Sequence, residues 1–260
     1  MFLCRLLVTS ALFLTNSAIA QVFFLGTTSY TENFNELAST GSSHTYVDNS
    51  TIVGVTINSE EMDSNSDEYF VSTGSSTGGE VYSFGATGSS DRALGYLGSG
   101  GNDRFNVYVS LVNSSGSTIS SLNVSYDGEY WRSGGTTSDN QNFLNFSFAV
   151  DATSLPTSTS TINWTEVDAL DYSLTPGQQI ISTGAKDGNA FATKIEATIT
   201  SIAWTPDSTL YLRWTGNNGG GADAGLAIDN LLVAVPEPST YALLAGILGL
   251  TYVMLKRRLA

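Results

Sequence analysis

Residues able to carry chemistry are few and scattered in this chain. His44 is its one histidine, set among Ser42, Ser43 and Thr45, and Cys4 its one cysteine, so no histidine-based triad or two-histidine zinc helix can be assembled. His44 reads as a turn or edge-strand residue. Oxygen ligands are better supplied. Asp63, Asn65 and Asp67 hold the first, third and fifth positions of a calcium loop, although Glu68 stands where such loops need glycine and no closing glutamate follows. Ring stacking on a sugar is a further chemistry on offer. Tyr130 and Trp131 are adjacent, so strand alternation sends one inward and one outward, and the outward ring beside Arg132 is the candidate for glycan contact.

Such side chains need elements to position them, and a period of two dominates the body. Phe105, Val107, Val109 and Leu111 alternate with polar or amphipathic neighbours, as do Leu122, Val124 and Tyr126, then Leu144, Phe146, Phe148 and Val150, and then Leu210, Leu212 and Trp214. A strand with one apolar face requires a second sheet to cover it, which predicts an all-β, antiparallel, jelly-roll-like sandwich. Clusters of Gly, Ser and Asn at 72–79, 98–102, 114–117, 133–140 and 217–221 punctuate the runs as turns. The Ser/Thr-rich stretch 153–161 reads as a long loop. No helical period and no internal repeat emerges, so solenoids and propellers are excluded.

The 260 residues carry 24 acids against 10 bases, a net charge of -14, and 35 Ser with 30 Thr make a quarter of the chain hydroxylated. Acidity without a basic cluster before the last residues argues against a nucleic-acid partner. Hydrophobic residues at 41% suffice for a core, and 13% charged residues are too few for a solvated disordered chain. The ends carry addresses. Arg5, the apolar stretch from Leu6 to Leu14 and the small residues of Ala18-Ile19-Ala20 predict a cleavable signal peptide over 1–20. A sandwich over 21–235 would follow, without disulfides because Cys4 is lost with the leader.

At the other end, Pro236-Glu237-Pro238 precedes an apolar stretch, 239–255, and then Lys256-Arg257-Arg258. Seventeen helical residues span about 26 Å, close to a bilayer core of about 30 Å, and the basic end is expected to stay cytoplasmic. The triplet, short helix and basic terminus over 236–260 resemble the PEP-CTERM sorting signal. That resemblance implies a Gram-negative surface or matrix protein, held in the membrane until an exosortase, a membrane cysteine protease, processes the tail, and associated with exopolysaccharide.

Further resemblances lie in the body. Tyr82 to Gly85, Ser90 to Gly95, Val124 to Arg132, Leu210 to Trp214 and Gly225 to Asn230 resemble an extracellular domain found ahead of such tails, and the last strand is similar to that of MAM-type and lectin-like jelly rolls. This likeness implies paired terminal strands that make Glu32 and Asp229 candidate ligands of a structural Ca²⁺; no other cofactor is expected. Glu166-Val167-Asp168-Ala169-Leu170-Asp171 resembles the E-x-D-x-x-E strand of laminarinase-like glycoside hydrolases, with Asp171 one methylene short of the acid. The sequence thus favours an exported, exosortase-sorted, non-enzymatic surface protein, with a carbohydrate-binding module and a glycoside hydrolase using Glu166 as alternatives.

Overall fold

A computed structural model describes residues 22–24, 29–58, 67–99, 104–135, 141–150, 162–179 and 182–236, with 254, 256 and 257 near the C-terminus. Among these, two sheets face each other in an all-β, jelly-roll-like sandwich. The strands are β1 (Val22–Phe24), β2 (Ser29–Glu32), β3 (Ser43–Thr45), β4 (Val55–Asn58), β5 (Glu68–Ser72), β6 (Val81–Phe84), β7 (Ala93–Tyr96) and β8 (Arg104–Asn113). They continue as β9 (Ile119–Ser133), β10 (Phe143–Val150), β11 (Thr165–Glu166), β12 (Tyr172–Ser173), β13 (Gly184–Ala185), β14 (Thr193–Trp204), β15 (Thr209–Asn217) and β16 (Gly225–Ala234).

The seven-stranded sheet runs β1-β8-β15-β10-β11, with β4 also on β8 and β12 also on β10. The nine-stranded sheet runs β13-β9-β16-β7-β6-β5-β3, with β14 also on β9 and β2 also on β16. Successive long strands change sheets, since β8, β10 and β15 lie in one and β9, β14 and β16 in the other. Pairing is antiparallel except for β1 with β8 and β5 with β6.

The core follows the alternation. Phe105, Val107, Val109 and Leu111 on β8, Leu144 and Phe146 on β10, and Leu210, Leu212 and Trp214 on β15 are at most 1% exposed. Phe146 lies directly opposite Trp214 in register, their rings 5.1 Å apart and edge-on. From the other sheet, Tyr126 meets the same indole edge-on at 5.4 Å. Each such pair is worth about 0.5 to 1.5 kcal/mol beyond burial, so Trp214 ties the two sheets together. The Tyr126 hydroxyl donates to the Leu170 carbonyl at 2.5 Å, which seats the short 3-10 turn Asp168–Leu170 on the sandwich flank.

Regular helix is confined in the described body to that turn, a second 3-10 turn at Gly188–Phe191 and the four-residue α1 (Pro176–Gln179). No helix among the described residues is long and apolar enough to cross a membrane. The leader 1–20, the 153–161 stretch, and residues 237–253 and 255 of the tail lie outside the described residues; Pro236 comes two residues after the end of β16.

Candidate functional site

Each sheet has an outer face, and the two differ in what covers them. On the seven-stranded sheet, the residues alternating with the core are Asn106, Tyr108 and Ser110 from β8, Arg213 and Thr215 from β15, and Asn145 and Ser147 from β10; Asn106, Tyr108, Ser110 and Ser147 are buried, while Asn145, Arg213 and Thr215 keep part of their surface exposed. The register sets Arg213 between Tyr108 on one side and Ser147 on the other. Its Nε donates to Ser147 Oγ at 2.9 Å, and its Nη2 donates to Glu166 Oε1 at 3.4 Å. Trp164, just before β11, lies across this guanidinium with its ring centroid 4.1 Å from Cζ and 5.9 Å from the Tyr108 ring. Thr215 donates to Asn106 at 2.8 Å alongside.

The constellation is therefore a half-buried indole, a guanidinium held on three sides and an exposed carboxylate. Arg213 keeps 19% of its side chain exposed and Glu166 55%. Fixed planar donors beside an aromatic face can recognise a flat, hydroxyl-bearing ligand with little loss of side-chain freedom on binding. Sequence spacing does not reveal this group, because residues 108, 164, 166 and 213 meet only through the β8-β15-β10-β11 order. The one signal available was Arg213 alternating with buried Leu212 and Trp214.

The outer face of the nine-stranded sheet is roofed. Tyr82, Phe84 and Trp131 form a slab with Ala93, Leu97 and Ala227, and Phe84 stacks on Trp131 at 5.9 Å and 5°. Alternation at Tyr130 and Trp131 holds, but the outward ring is not free: Tyr130 is 0% and Trp131 3% exposed. Two loops cover the indole. A Cβ on Gly188 would lie 2.2 Å from its ring atoms, and one on Gly74 would lie 1.8 Å from the Trp131 carbonyl oxygen. Arg132 is half-buried and donates through Nη1 to the Gly74 and Ser75 carbonyls at 3.1 and 3.4 Å, pinning one loop down. The expected glycan platform at Tyr130, Trp131 and Arg132 is thus corrected to a packed, loop-covered cluster.

Beside that slab stand carboxyl groups. Asp229 is directly opposite Asp127, and Glu129 opposite Ala227, so three acids share one face of adjacent strands. Asn230 donates to Asp127 at 3.0 Å, Trp131 Nε1 donates to Glu129 at 2.7 Å, and Asn189 donates to Asp91 at 2.6 Å, linking the Gly188 loop to the β6–β7 connection. Burial, reinforced by Asp91 and Asp127, raises Asp229 to about 8 against the opposing Asn230 N–H; burial likewise raises Glu129 to about 7 despite the Trp131 bond. Like charges facing across strands oppose folding, so protons held here relieve that repulsion.

The remaining expected sites are placed as follows. β2 does pair with β16, but Glu32 is opposite Leu231, which points into the core, whereas Asp229 points outward. A bulge between Asp229 and Leu232, with Asn230 at φ 50°, inserts the extra residue that separates them. The Glu32–Asp229 calcium pair is corrected accordingly. Glu32 instead accepts the Phe34 N–H at 2.6 Å and lines a cavity of about 470 Å³ with Glu36, Asn33 and Asn230; burial raises its pKa. Asp229 accepts the Asn230 N–H at 2.7 Å. Asp63 and Asn65 lie outside the described residues, and Asp67 is exposed at the start of β5, its carbonyl accepting the Tyr46 N–H. Among the described residues no three His, Cys, Asp or Glu side chains group to hold a metal ion. His44, on edge strand β3, bonds through Nε2 with the Thr40 carbonyl and stacks on Tyr69.

The hydrolase-like string does not form one strand. Glu166 ends β11, Asp168 opens the 3-10 turn, and Asp171 beyond it accepts the Phe146 N–H at 2.7 Å. Three acids distributed over strand, turn and connection cannot flank one bond as a continuous bulged strand would, which corrects the expectation for Glu166.

No family model matches the chain, and no curated protein matches it. Among solved structures, it is similar to the enzymatically active domain of bacteriophage CBA120 tailspike protein 4, at 7% identity and TM-score 0.32, covering 56% of this chain and 16% of that one. It is similar also to the K3 cleaved adhesin domain of Lys-gingipain from Porphyromonas gingivalis W83, at 14% identity and TM-score 0.35, covering 74% and 98%. A third is the carbohydrate-binding module TmCBM61 in complex with beta-1,4-galactotriose, at 8% identity and TM-score 0.28, covering 82% and 91%. Scores this low carry no residue correspondence.

Proposed function

We propose that the protein is an exported, non-enzymatic glycan-binding surface protein that binds saccharide on the outer face of the seven-stranded sheet. The observation that carries this reading is Trp164 laid over Arg213 at 4.1 Å while Ser147 and Glu166 hold that guanidinium. Trp164 supplies apolar contact for a sugar's C–H face, and the exposed Glu166 carboxylate supplies an acceptor for its hydroxyls. A glycan array run with the full chain, with and without EDTA, tests it. Trp164→Ala should weaken binding at least about tenfold while the melting curve is retained, since a half-buried surface ring contributes little to stability. Binding that survives Trp164→Ala and Arg213→Met would move the site elsewhere; complete loss in EDTA would favour a calcium-dependent site instead.

Export and sorting belong to the same reading and rest on the two ends of the sequence. Replacing Glu237 by Ala should leave an unprocessed, membrane-held precursor, and mass spectrometry of surface-extracted protein locates the C-terminus. Finding Lys256 to Ala260 intact on most molecules would count against processing.

A further inference from the structure

The two sheets treat their long strands unequally. Strands β8, β9, β10, β15 and β16, of eight to fifteen residues, are each paired on both sides. The edges are closed by short strands, since β1, β2, β3, β4, β11, β12 and β13 run two to four residues. β14 is the exception: twelve residues long, it pairs with β9 alone, and although the 3-10 turn Asp168–Leu170 packs against it, no backbone hydrogen bond among the described residues reaches its other side. A long edge is ordinarily blunted by proline, a bulge or charge. From Thr193 to Thr200 the register on β9 is unbroken, and proline and glycine are absent; the bulge comes only after Thr200.

We propose that β14 is a homotypic docking edge, where a second copy adds its own β14 antiparallel over residues 194–200 about a two-fold axis at Ala197. Self-pairing there is complementary row by row. Residues whose numbers sum to 394 would face each other, so buried Ile195 meets the second copy's Ile199, continuing the core row across the junction. On the outer row Lys194 meets Thr200 and Glu196 meets Thr198, so no like charges are opposed. Charge singles out this edge for a second copy in particular. Residues 21–235 hold 23 acids and 6 bases, a net of -17, and repel their own kind over most of the surface, whereas β14 carries one Lys and one Glu. Isologous antiparallel addition would join two nine-stranded sheets into one.

The test uses the full chain in non-ionic detergent, on account of its apolar 239–255, by sedimentation velocity from about 1 to 100 µM. The expected result is a concentration-dependent dimer with slowed amide exchange over residues 194–200. Successive residues aim their N–H groups alternately at β9 and at the free edge, so Ala197→Pro and Thr198→Pro form an informative pair. Whichever keeps the native melting curve has lost an outward donor and should associate at least about tenfold more weakly. In a Cys4→Ser background, Ala197→Cys should form a disulfide-linked dimer under mild oxidation, because facing residues in an antiparallel pair lie within disulfide reach. A monomer throughout the range, or a folded proline variant that dimerises like the parent, would overturn the proposal. Should both proline variants unfold, absence of the Ala197→Cys cross-link overturns it.

Discussion

Trp164 and Trp131 both lie on outer faces of the sandwich, yet one remains partly exposed and the other is sealed. Over the seven-stranded sheet, the segment before β11 sets its indole on a guanidinium that is itself paired. Above the nine-stranded sheet, loops at 73–76 and 184–191 close over an aromatic slab and shut acids beneath them. The difference teaches that an outer face becomes a binding surface or a second small core according to the loops that cross it, whatever its own residue types.

The largest expected effect separates the two tryptophans. Trp131→Ala should destabilise the fold by about 3 to 5 kcal/mol, the usual result of emptying a buried indole, whereas Trp164→Ala should cost under about 1. Urea melts of the two variants check this, and equal losses would break the comparison.

A second contrast uses glycines. Gly188→Ala drives a Cβ into the Trp131 ring, so an overpacking loss of about 1 to 3 kcal/mol is expected. Gly177→Ala, where a Cβ would meet open space, should lie within about 0.5 of the parent.

The sealed acids give the roofed face its own pH dependence. Asp229 and Glu129 hold their protons to about 8 and about 7 when folded, well above the unfolded range near 4. Between these limits the folded state binds more protons than the unfolded one, so stability falls as pH rises from about 4 to 8 and levels off above. Melting temperature should therefore drop between pH 5 and 8, each about, and Asp229→Asn should flatten the slope and raise stability at about pH 8 by on the order of 1 to 2 kcal/mol. A rise in melting temperature over that interval would contradict the buried-acid account.

The smallest effect lies on the open face. Glu166→Gln removes an ion pair whose carboxylate is 55% exposed, and stability should change by no more than about 0.2 to 1 kcal/mol. The sharper readout is saccharide affinity, which should weaken if the carboxylate both orients Arg213 and accepts a ligand hydroxyl.

Alternation alone determined a great deal. The runs through Val107, Phe146 and Leu212 named core residues and the sandwich class, because a side chain's face on a strand is fixed by parity. Parity cannot say what lies above a face. Alternation requires one of Tyr130 and Trp131 to face outward, but the cover over Trp131 comes from the Gly74 and Gly188 loops, distant in sequence and brought down by tertiary folding. Nor can it survive an inserted residue: the bulge at Asn230 separates Asp229 from the inward Leu231 opposite Glu32, and with it the metal pair. The Glu166 string failed for a related reason, since the 3-10 turn at Asp168–Leu170 ends the strand period where Leu170 drops into the core. Strand order, loop closure and the bulge at Asn230 were decided by the tertiary structure, because each depends on contacts between residues far apart in the chain, where local pattern carries no information.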